Sequence, residues 1–146
     1  MKRTDKRLRL CAVLLICNLA FIWGNSLLPG QVSGAIRDWV KDLLSGLFPS
    51  TGADSNNGFL IRKLAHFTEF ACLGSLLLWY LGMLGKPKLL AFLPGADAAC
   101  IDETIQMFLP ERGPGIRDVG IDCAGVLTGM ILLYFGHTYF KRKHRS

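Results

Sequence analysis

Apolar residues in this chain are bunched into long runs instead of alternating with polar ones. Residues 8–24 (LRLCAVLLICNLAFIWG), 64–84 (LAHFTEFACLGSLLLWYLGML) and 119–136 (VGIDCAGVLTGMILLYFG) are the clearest runs. Each falls within the range of about 17–25 residues that crosses the ~30 Å hydrocarbon layer as a helix. Residues 88–109 (KLLAFLPGADAACIDETIQMFL) form a weaker fourth candidate. Pro94 and Gly95 interrupt it, and Asp97, Asp102 and Glu103 are ionisable. One charge at mid-membrane costs about 2.5–3.5 kcal/mol on the insertion scale, so this segment needs neighbours that shield it and partners or water for its acids. Pro94 predicts a kink there, because it lacks an N–H and its ring clashes with the preceding turn. A re-entrant hairpin is the alternative for this segment.

Between the first two runs the period changes. From Ile36, apolar residues recur at Trp39, Val40, Leu43, Leu44, Leu47 and Phe48, with Arg37, Asp38, Lys41 and Asp42 on the other face. That spacing predicts an amphipathic helix over 34–48, too short and too charged to cross. It either lies in the outer interface or caps the bundle. Residues 49–58 (PSTGADSNNG) are turn and linker chemistry. The predicted fold is all-α: one domain over residues 1–146, a polytopic membrane bundle of about four transmembrane helices plus one amphipathic interfacial helix. A soluble chain of 146 residues has no core large enough to bury four such helices.

Charge then orients the bundle. The net charge is +6, and eleven of the seventeen Lys and Arg fall in three places: Lys2, Arg3, Lys6, Arg7 and Arg9 where the first run starts, Lys86 and Lys88 where the second gives way to the third, and Lys141, Arg142, Lys143 and Arg145 after the fourth. Four crossings place those three regions on one side, which the positive-inside rule makes cytoplasmic. The chain is thus expected in the cell membrane, multi-pass, with both termini cytoplasmic. The basic tails read as topology signals, not as a nucleic-acid surface. The basic head before an apolar run also resembles a signal peptide, but no small-x-small site follows Trp23, and the segment is expected to stay as an anchor. Cys11, Cys17, Cys72, Cys100 and Cys123 all fall in apolar segments, and they read as helix-packing residues with no disulfide framework.

This topology gathers the unusual residues at the outer leaflet. His66 and Glu69 open the second crossing, Asp102, Glu103 and Gln106 close the third, and Asp118 and Asp122 open the fourth. Lys63, His66 and Glu69 step by three and share a helix face. Asp102 and Gln106 are four apart, and Asp118, Asp122, Gly125 and Gly129 form one stripe ending in a GxxxG that permits close helix approach. Ionisable groups inside a membrane are rare and mark function by default.

Two chemistries are open. In the first, a polar pocket with Lys63, Arg112 and Arg117 at its rim binds a membrane lipid, a lipid-linked envelope precursor or an amphiphilic antibiotic through charge-assisted hydrogen bonds. In the second, an intramembrane enzyme uses His66 as general base, Glu69 or Asp118 as its orienter and Glu103 as an acid. His66, Glu69, Glu103 and Asp118 could also hold zinc or manganese, although no metal-ligand spacing is present. No nucleophile stands out, since Ser26 and Ser75 have no partner at a readable spacing. No cofactor is specified, and the oligomeric state is open.

The ordered set of residues carries a family likeness. RKLAHFTEF, followed by IDETIQMFLPERGPGIRDVGIDCAGVLTG, resembles the VanZ family of small bacterial membrane proteins. Lys63, His66, Phe67, Glu69, Glu103, Gln106, Arg112, Asp118, Gly125 and Gly129 match that pattern over roughly residues 60–135, and Ser26 fits a serine found after the first helix. Asp122 departs from it, standing where the family usually has Asn. A second acid beside Asp118 requires a proton or a cation nearby. Asp97 is not part of the pattern. The resemblance implies an envelope role, and the family's best-known member is linked to low-level resistance to the glycopeptide teicoplanin.

Overall fold

The computed structural model describes residues 3–28, 34–35, 38–39, 56–109 and 115–143. The described residues are helical apart from turns, and they form four helices. These are α1 (Arg3–Leu27), α2 (Asn56–Met83), α3 (Phe92–Met107) and α4 (Ile116–Lys143), with a 3₁₀ turn, Lys88–Ala91, leading into α3. Three of them are long and apolar enough to cross a membrane, over Thr4–Leu27, Arg62–Met83 and Ile116–Tyr139. Only 22%, 22% and 28% of their most apolar windows are buried inside the bundle. Leu10, Ile16, Phe21, Leu132 and Phe135 therefore lie on the outside. An apolar exterior this extensive is what hydrocarbon, not water, would cover.

The fourth expected crossing is the exception. Helix α3 has 16 residues, about 24 Å of rise, which is short of the ~30 Å layer. Pro94 does not kink it midway; it lies in the first turn, at the change from 3₁₀ to α geometry. A missing N–H is tolerated there because first-turn donors have no partner inside the helix. Asp97 is exposed on its outer face, whereas Asp102 and Glu103 are buried. The predicted outer helix over 34–48 lies outside the described residues, except 34–35 and 38–39, which are helical.

Helix α2 ends in a motif that turns the chain sharply. Gly85 has φ +68°, a left-handed conformation that favours glycine. The Lys86 N–H donates to the Leu81 carbonyl at 3.0 Å and the Gly85 N–H to the Gly82 carbonyl at 3.2 Å, a Schellman closure. Pro87 follows and prevents the helix from continuing.

Helices α2 and α4 approach most closely along the glycine stripe. A Cβ on Gly129 would collide with the backbone carbonyl of Ala71, and one on Gly125 would lie 2.5 Å from the Phe67 oxygen. Gly74 contributes from the other side, against the backbone of Val126. Ser75 ties the seam, its hydroxyl donating to the carbonyls of Gly129 (2.9 Å) and Ala71 (3.0 Å). Ile22, Phe70, Leu73, Ala98, Ala99 and Val126 fill the core around it.

The cysteines differ from expectation. All five are free, and only Cys11 is buried; Cys17, Cys72 and Cys100 are exposed. Lipid is as apolar as a core, so a cysteine in an apolar run carries no sign of which way it faces.

Candidate functional site

At the end of the bundle where α1 and α3 finish and α2 and α4 begin, polar side chains from all four helices meet. Asn25 and Ser26 lie in the last turn of α1. Asn25 Nδ2 donates to Glu69 Oε1 at 3.1 Å. Ser26, fully buried, receives a 3.4 Å bond from Gln106 Nε2. The same amide donates to Asp102 Oδ2 at 2.8 Å, one turn back along α3, as the four-residue spacing predicts.

His66 joins two of the acids. Its Nδ1 lies 3.8 Å from Glu69 Oε2 and 3.9 Å from Asp102 Oδ2, so an imidazolium there would face two carboxylates. Lys63, one turn earlier on α2, points instead to α4 and meets Asp118 Oδ1 at 2.5 Å. This is the nearby cation that two acids on one stripe require. Glu103 is buried and is held by a different kind of partner, the backbone N–H of Gly115 just before α4. Asp122 is also buried. It lines a small cleft with Arg62, Lys63, His66, Gln106, Asp118 and Ile121, whose cavity volume is about 20 Å³.

Three buried carboxylate oxygens, Glu69 Oε2, Asp102 Oδ1 and Glu103 Oε2, have no hydrogen-bond partner among the described residues. Burying an acceptor without a donor costs about 1–3 kcal/mol, and more for a charged group.

The structure thus brings together Lys63, His66, Glu69, Asp102, Glu103, Gln106, Asp118 and Asp122 at one end of the bundle. Arg112 lies outside the described residues, and Arg117 is exposed. Among the described residues, no three His, Cys, Asp or Glu side chains are grouped to hold a metal ion. The set His66, Glu69, Glu103 and Asp118 is divided, because Asp118 is engaged by Lys63 and Glu103 by Gly115. Neither Ser26 nor Ser75 is bonded to His66.

Sequence reasoning passed over Asn25, Arg62 and the Gly115 N–H. Asn25 had a signal: it is the first of two polar residues where an apolar run stops. Arg62 adjoins Lys63 one position outside the recognised spacing. The Gly115 donor has no side-chain signal at all.

Comparison with curated proteins and with solved structures finds no match. The VanZ/LLP1 family does match, over residues 10–137. That span begins inside α1, ends near the close of α4, and contains every residue of the cluster. The chain therefore belongs to the VanZ/LLP1 family.

Proposed function

We propose that this chain is a cell-membrane protein whose polar cluster binds an amphiphilic envelope ligand at the outer leaflet, either a lipid-linked wall precursor or a glycopeptide such as teicoplanin. The observation that carries this reading is the trio of buried carboxylate oxygens on Glu69, Asp102 and Glu103 that lack donors among the described residues. A hydroxyl or ammonium of the ligand would supply what they need. The small cleft beside them, lined by His66, Gln106 and Asp122 and not by the three acids themselves, has room for one small group and not for a whole headgroup. A phosphate or carboxylate would stay at the mouth, near Arg62 and Lys63. Expression of the chain in a susceptible host should lower its sensitivity to teicoplanin. Unchanged sensitivity would remove the antibiotic and leave the wall precursor as ligand.

The outward placement rests on charge. The start of α1, the turn after α2 and the end of α4 lie together at the end opposite the cluster, and they carry most of the Lys and Arg. With the 3₁₀ turn ahead of it, α3 spans about 32 Å, enough for a fourth crossing. Reporter fusions after Ser55 and after Gly113 should both read as external, and one after Lys86 as cytoplasmic. A cytoplasmic signal after Gly113 would mean that α3 does not cross.

The position of His66 between Glu69 and Asp102 favours a second reading, an acid/base enzyme acting on an envelope lipid. His66 would take a proton, Glu69 would orient the ring, and Glu103 would donate. Incubation of the purified protein with polyprenyl envelope lipids separates the two: a lipid that binds unchanged supports binding, and one that is converted to product supports catalysis.

A further inference from the structure

The opposite end of the bundle carries a larger and chemically different feature. Between the end of α2, the 3₁₀ turn and the end of α4 runs a groove with a cavity volume of about 610 Å³, within the range of small-molecule sites. Its floor includes Trp79, Leu133 and Tyr134. Its rim holds Lys88, His137 and Lys141, and no acidic residue lines it. Tyr134, His137 and Lys141 recur at i, i+3 and i+7, so one face of α4 passes from aromatic to cationic toward its end. Lys88 reaches the same place from the 3₁₀ turn, its Nζ 4.5 Å from the centre of the Tyr134 ring.

Two details keep the rim of the groove free of negative charge. The Schellman closure of α2 occupies the carbonyls of Leu81 and Gly82. In addition, every charged residue described in the neighbouring turn (Lys86 and Lys88) is basic.

We propose that this groove is a binding site for an anionic phospholipid, in the leaflet opposite the polar cluster. The acyl chain lies along Trp79 and Leu133, and the phosphate is held by Lys88 and Lys141, with His137 as a further donor. Charge complementarity selects this occupant. A zwitterionic phospholipid would fill the apolar floor equally well, but its own ammonium offsets its phosphate, whereas an anionic phospholipid brings a net negative charge to the two lysines.

Trp79 provides the readout. In full-length protein carrying Trp23→Phe and Trp39→Phe, it is the sole tryptophan. In phosphatidylcholine vesicles, brominated phosphatidylglycerol should quench it at lower mole fraction than brominated phosphatidylcholine does. The preference should fall about fivefold for each lysine removed in Lys88→Gln and Lys141→Gln. It should persist in Arg7→Gln/Arg9→Gln, which removes equal charge from the same end outside the groove. Equal quenching by the two lipids would overturn the proposal. So would a preference that survives the double lysine change, since that would be general surface attraction. Mass spectrometry of detergent-extracted wild type and K88Q/K141Q needs no tryptophan replacement and must show the same loss of phosphatidylglycerol adducts. Equal adducts on both would also overturn the proposal.

Discussion

Gly129→Leu should abolish accumulation of the folded protein in the membrane. The methyl of an alanine would already strike the Ala71 carbonyl, and backbone on α2 cannot yield as a side chain would. Leucine adds three further carbons at the same point. Helices α2 and α4 would have to separate along a seam that also holds Gly125, Gly74 and the Ser75 hydroxyl. Overpacking in a core typically costs about 1–3 kcal/mol, and a backbone-to-backbone collision belongs at or above the upper end. Because lipid gives no hydrophobic drive to rejoin the helices, close packing is much of what holds them. Gly125→Leu should act in the same direction. Gly136→Leu, on the same helix with open space around its Cβ position, should be tolerated. Thermal unfolding in detergent and membrane abundance by immunoblot measure this. Wild-type values for Gly129→Leu would mean that the stripe does not hold the bundle together.

The second large effect is expected on function with the fold intact. Glu103→Gln is nearly isosteric, and its amide oxygen can still accept the Gly115 N–H. The change replaces the partnerless oxygen with an NH₂ donor, so a ligand donor placed there would meet another donor. Protection against glycopeptide should be lost at wild-type abundance. His66→Ala should lose it as well, because the ring lies between Glu69 and Asp102 and removing it leaves those carboxylates facing each other. Asp118→Asn should weaken protection by loosening Lys63. Asp38→Asn, in the segment between α1 and α2, should do little. If Glu103→Gln and His66→Ala both protect like wild type at equal abundance, the cluster is a packing device.

The three long apolar helices were legible because predominantly apolar runs of seventeen residues or more have few other destinations in so short a chain. The meeting of His66, Glu69, Asp102, Gln106 and Asp118 was legible too, since antiparallel crossings return the chain to the same end and helical spacing orders the faces. The identity of partners was not. Lys63 shares a face with His66 and Glu69, yet it is drawn across to Asp118 on α4. Glu103 is held by a backbone donor twelve residues on, which side-chain patterns do not encode. The glycine stripe on α4 was visible as a motif, but Gly74, its counterpart on α2, stands alone in the sequence with no repeat to announce it. Hydropathy marked the third segment as the weakest run, and it could not show that the segment divides into a 3₁₀ turn and an α-helix of 16 residues.

We propose that the acids at this end of the bundle hold a ligand. Native mass spectrometry tests it most directly, with wild type and Glu103→Gln extracted from the same bacterial membrane under the same detergent. A lipid-linked or glycopeptide adduct is expected on wild type and absent from Glu103→Gln, with both proteins equally folded by thermal unfolding. The same adduct at the same occupancy on both would contradict it.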